Sequence, residues 1–93
     1  MDRLPVLFIG HGSPMNAIED NGFTRTWAAL GEKLPRPEVI LTVSAHWVTE
    51  GSGVCSAGQP QQIYDMYGFP RALYELRYAP PGSPATAARV TAL

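Results

Sequence analysis

Leu4-Pro5-Val6-Leu7-Phe8-Ile9-Gly10-His11-Gly12-Ser13-Pro14 is the stretch on which the fold reading turns, an almost unbroken apolar run that ends in a glycine-flanked histidine. A half-exposed strand alternates apolar and polar residues, whereas a continuous run reads as a strand covered on both faces, central in a parallel sheet. The pattern returns in Glu38-Val39-Ile40-Leu41-Thr42-Val43-Ser44-Ala45-His46-Trp47, which again lacks strict alternation. Between the two runs, Asp20 or Asn21 can cap a helix with Phe23, Trp27 and Leu30 on one stripe. Gly31 supplies a stop for that helix, and Pro35 and Pro37 forbid its continuation. His46 follows His11 by 35 residues, a spacing that fits a strand, a crossover helix and a second parallel strand, which need roughly 30 or more. The expected fold class is α/β, a parallel βαβ-based sheet flanked by helices.

In an open α/β sheet the ligand site lies outside the carboxyl ends of the strands, where both histidines of this chain fall. Parallel neighbours are about 4.8 Å apart, so imidazoles from adjacent strand ends can converge on one ion at the roughly 2.1 Å of a metal–nitrogen bond. Gly10 and Gly12 let the backbone turn sharply and leave room above His11. Two imidazoles are an incomplete site, because a catalytic metal commonly takes three protein ligands and keeps open positions. Asp20, Asp65 and Glu50 are the candidate third ligands, none of them as well placed as the histidines. The competing reading is that each histidine simply hydrogen-bonds a backbone carbonyl at a strand end.

Beyond His46, Gly51-Ser52-Gly53 is a turn and Val54-Cys55-Ser56-Ala57 a candidate short strand. Residues 59–67 have no periodicity, yet they hold Tyr64, Asp65, Met66 and Tyr67, much aromatic surface for a loop and therefore a candidate site lining. Pro70 opens a helical turn through Leu73-Tyr74-Glu75-Leu76. Pro80, Pro81 and Gly82 break the chain, and Ser83-Pro84 reads as an N-cap with proline at the first helical position. The last helix has no stop signal before Leu93. On this reading residues 1–93 are the first part of a larger α/β protein, with a bare sheet edge and an Ala87, Val90 and Leu93 face that would associate with something.

Composition excludes several function classes. The 93 residues are 45% hydrophobic and 16% charged, with a net charge of −1 that offers no attraction to nucleic acid or anionic membrane. No apolar stretch approaches the ~20 residues that span a bilayer. One cysteine, Cys55, cannot form an internal disulfide and reads as a small buried residue. With the first strand starting close to Met1 and no leader before it, the cytoplasm is the expected compartment. Gly-His-Gly-Ser lacks the lysine and glycine spacing of a phosphate loop. Ser13 and Ser44 lack the Gly-x-Ser-x-Gly setting of a nucleophile and read as turn caps. Trp27 reads as core and Trp47 as a pocket lining.

The wording of the motifs goes further than their spacing. Gly10-His11-Gly12-Ser13-Pro14-Met15-Asn16 with Glu19-Asp20-Asn21, then Leu34-Pro35-Arg36-Pro37, Val43-Ser44-Ala45-His46-Trp47, Ile63-Tyr64-Asp65-Met66-Tyr67-Gly68-Phe69-Pro70 and Pro81-Gly82-Ser83-Pro84 follow in order. Together they resemble the N-terminal portion of the class III extradiol ring-cleaving dioxygenases, in the branch of the 4,5-DOPA extradiol dioxygenases. The resemblance implies a non-haem Fe(II), with Zn(II) in some members, bound through His11 and His46. It also implies a catechol and O₂ as reactants, with Ser13, Trp47 and Tyr67 near the substrate. The family's third metal ligand and acid/base histidine fall beyond Leu93, so the resemblance implies no ring cleavage by residues 1–93 alone. The alternative is a non-oxygenase metal-handling α/β protein such as a chelatase, which shares the His-Gly-Ser at the end of the first strand. His46-Trp47 and Tyr67-Gly68-Phe69-Pro70 favour the dioxygenase.

Overall fold

The computed structural model describes residues 3–93, so Met1, on which the reading of the chain's start leans, lies outside them. The chain divides into two compact units, described separately. The first runs to Glu38 and includes Gly68–Leu76; the second comprises Val39–Tyr67 and Arg77–Leu93.

In the first unit, residues 4–13 form no regular element, and the backbone turns at Gly12, whose φ of +66° lies in the left-handed region. Gly10 needs no such freedom. Ser13 then caps a short 3₁₀ turn, Pro14–Ala17, which the sequence pattern does not announce. Helix α1, Gly22–Lys33, begins with a complete capping box. The Asn21 side chain accepts from the Thr24 N–H at 3.0 Å, and the Asn21 N–H donates to Thr24 Oγ1 at 2.9 Å. The helix passes through Gly31 and ends at Leu34, which is extended ahead of Pro35, because a residue before proline is pushed out of the helical region. Its inward stripe is Thr24, Trp27, Leu30 and then Leu34, all half-buried, while Phe23 stays exposed. Helix α2, Arg71–Tyr74, and α1 both pack against the 3₁₀ turn. Leu73 is the buried anchor of this unit, at 2% exposure.

In the second unit, Gly51 turns the chain at φ +75°, and the Gly82 N–H donates to the Gly58 carbonyl at 2.9 Å. Ser83 caps helix α3, Pro84–Thr91, accepting from the Thr86 N–H at 3.2 Å, with Pro84 in the first turn. The helix stops at Ala92 before the final residue. Ala87, 4% exposed, is its buried residue. Ala87 and Val90 line an open apolar concavity together with Ile40, Leu41, Val43 and Trp47.

The expected parallel sheet is not there: no β-strand forms among the described residues, including 4–9, 39–45 and 54–57. The first run keeps a two-residue alternation of exposure without any pairing: Val6 and Phe8 are 99% and 101% exposed, Leu7 and Ile9 48% and 47%. A strand is defined by its partner, and an apolar run records only fitness for burial. Pro5, with no N–H to give a ladder, weakens the run further. Bringing distant segments into register costs loop-closure entropy that must be repaid by buried surface. Only Leu73 and Ala87 are buried hydrophobics among the described residues, so there is no apolar layer on which a sheet could lie. Cys55 is likewise exposed rather than buried.

Asn21 both caps α1 and braces Asn16, and Asn21→Ala should lower stability by about 1 kcal/mol through the lost cap. The effect is measurable as a reduced midpoint in urea unfolding, and an unchanged midpoint would mean that the cap is replaced by water at no cost.

Candidate functional site

The His11 turn is built by side chains rather than by a sheet. Asn16 Nδ2 donates to the His11 carbonyl at 2.8 Å, and Asn21 Nδ2 donates to Asn16 Oδ1 at 2.8 Å. This relay ties the histidine's backbone to the capping box of α1, so helix and turn hold each other. Ser13 Oγ accepts from the Met15 N–H at 3.1 Å, the capping role expected of it. The His11 ring places Nδ1 3.0 Å from the Gly12 carbonyl oxygen. A carbonyl can only accept, so Nδ1 carries the proton and the lone pair of the neutral ring sits on Nε2.

His46 stands on a turn of the second unit in which Ser44 repeats the role of Ser13, accepting from the His46 N–H at 3.1 Å. The Trp47 N–H reaches the Ser44 carbonyl at 3.4 Å. The His46 ring meets a different partner, with Nδ1 2.7 Å from Asp65 Oδ2. An ionised carboxylate also only accepts, so Nδ1 of this ring carries a proton, and in the neutral form of the ring the lone pair is then on Nε2. Both side chains are about half exposed, so the pair adds no more than about 1 kcal/mol to stability.

His11 belongs to the first unit and His46 to the second. Of the candidate third ligands, Asp20 pairs with Arg25 at 3.0 Å and Asp65 is engaged with His46; Glu50 is exposed. Among the described residues no group of three or more His, Cys, Asp or Glu is placed to hold a metal ion. Trp47 lines the apolar concavity of the second unit, and Tyr67 lies on the exposed irregular segment that also carries Asp65. Sequence reasoning missed the structural use of Asn16. It noted Asp65 without finding its partner, since that bond joins residues 19 positions apart. The available signal was an aspartate between two tyrosines in a segment with no periodicity.

Comparison with known proteins places this chain beside named relatives. It is 56% identical over 91 residues to a 4,5-DOPA dioxygenase extradiol of Escherichia coli K12, covering 98% of the chain and 34% of the relative. It is 42% identical over 89 residues to the protein of the same name from Beta vulgaris, covering 89% of the chain and 32% of the relative. It is 34% identical over 103 residues to dioxygenase tasH of Hapsidospora irregularis, covering 99% and 32%. These homologues bear out the resemblance read from the motifs. The chain spans about a third of the length of the curated relatives it matches. No family model matches the chain, and no solved structure matches it. No helix among the described residues is long and apolar enough to cross a membrane.

Proposed function

We propose that this chain is the N-terminal part of the catalytic domain of an extradiol ring-cleaving dioxygenase, in which His11 and His46 serve one Fe(II) ion. Zn(II) is an alternative occupant. The substrates are a catechol of the DOPA type and O₂, and the named relatives support the reaction class. The observation that carries the metal reading is the same in both rings. Each histidine gives its Nδ1–H to an oxygen acceptor, Gly12 O in one and Asp65 Oδ2 in the other, which leaves Nε2 as the basic nitrogen. Metal-ligating histidines almost always donate their other ring N–H in this way, to a carbonyl or a carboxylate. The donor set fits a non-haem iron that keeps open positions, because two neutral imidazoles add no charge and leave room for a carboxylate elsewhere in the protein.

A metal held by His11 and His46 would supply open positions for both reactants and a path for electron density between catechol and O₂. The chain's own residues hold and orient. Asn16 and Ser13 fix the backbone on either side of Gly12, so the His11 ring is presented by a rigid turn. Ser44 does the same for His46. The Ser13 hydroxyl, which accepts from Met15, retains its own proton to donate to a substrate oxygen. Trp47 and Tyr67 offer aromatic faces suited to a flat ring.

An oxygen-electrode assay on the full-length protein tests this reading. With Fe(II) supplied, uptake should follow addition of a catechol and not of the corresponding monophenol, since only adjacent hydroxyls can chelate. A chelator should abolish it. Equal uptake with the monophenol, or uptake indifferent to the chelator, would contradict the assignment.

A further inference from the structure

We infer that Asp65 is the positioning residue of His46, resting on the reading of His46 as a metal ligand. The contact joins two segments that nothing else in the sequence pattern relates, the 44–47 turn and the 64–67 segment, and it is short, 2.7 Å between Nδ1 and Oδ2. His46 is thereby held twice. Its backbone N–H is fixed by Ser44 Oγ at 3.1 Å, and its ring is fixed by a carboxylate.

A charged acceptor does more to an imidazole than orient it. It locks the proton on Nδ1, so that Nε2 carries the lone pair, and it raises the electron density that Nε2 can give. At His11 the corresponding Nδ1 contact is with the carbonyl of the next residue. The His46 contact makes Asp65 Oδ2 a partner of the ring, through which it would act on a metal at Nε2.

The test uses the full-length protein, with Zn(II) affinity read by competition against a chromophoric chelator and the His46 tautomer read by ¹⁵N NMR of the metal-free protein. Asp65→Asn should lower Zn(II) affinity roughly 10- to 100-fold. It should also move the His46 ring from the Nδ1–H form toward a mixture of tautomers. Asp65→Glu should recover part of the affinity, and the thermal midpoint should hardly change, because a half-exposed pair contributes little to stability. Wild-type affinity in Asp65→Asn, beside lost affinity in His46→Ala, would overturn the role of Asp65 and leave the ligand reading standing. A wild-type His46 ring protonated on Nε2 would do the same. Unchanged affinity in His46→Ala would overturn the ligand reading itself and the inference with it.

Discussion

His11→Ala and His46→Ala, each made in the full-length protein, should abolish stoichiometric uptake of Fe(II) or Zn(II). A catalytic metal held by three protein groups loses a third of its anchorage with one imidazole, and the ligands that remain compete poorly with water and buffer. The loss should be complete at micromolar metal, and elemental analysis of the purified variants reads it directly. Neither substitution should unfold the protein, since both histidines are exposed. Unchanged metal content in either variant would mean that the ligands are elsewhere.

Gly82→Ala should be the most damaging single substitution in the second unit. A Cβ at position 82 would collide with the Ala57 carbonyl oxygen and press on Pro60 Cγ. Both neighbours are poorly able to yield, one being backbone and the other a ring. To relieve the contact the chain must give up the bond from the Gly82 N–H to Gly58 O, and with it the approach that lets Ser83 cap α3. The expected cost is about 2–4 kcal/mol, in the range of overpacking combined with a lost hydrogen bond. A drop of several degrees in the thermal midpoint would follow. Gly10→Ala is the control, because a Cβ there meets nothing within 4 Å, and its midpoint should match the parent's. Equal midpoints for the two variants would show that the 57–60 segment moves aside freely.

What could be read in the residues divides by the range of the interaction. Asn21 and Ser83-Pro84 were legible as helix starts because a cap is a bond between a side chain and an N–H three residues on. The 3₁₀ turn at Pro14–Ala17 escaped notice, since Gly12, Ser13 and Pro14 read as a turn of any kind. Gly31 misled as a stop, because a glycine costs a helix stability without ending it, and here Pro35 sets the limit. The apolar runs 4–9 and 39–45 misled most, for they are apolar in composition but carry nothing about who pairs with them. At the candidate site the same rule holds. His11 and His46 stood out by residue type and by the glycine and serine around them, and Ser13 and Ser44 cap their turns as their settings suggested. The bond from His46 to Asp65 crosses 19 positions of irregular chain, and no local pattern encodes it.

The reaction itself is the most direct test of the account. Full-length protein loaded with Fe(II) and given a DOPA-type catechol in air should consume one O₂ per catechol. Mass spectrometry should find a product heavier than the substrate by two oxygen atoms, opened at the bond beside the diol rather than between the two hydroxyl carbons. A product opened between the hydroxyls, an intact quinone, or no product from metal-replete protein would contradict it.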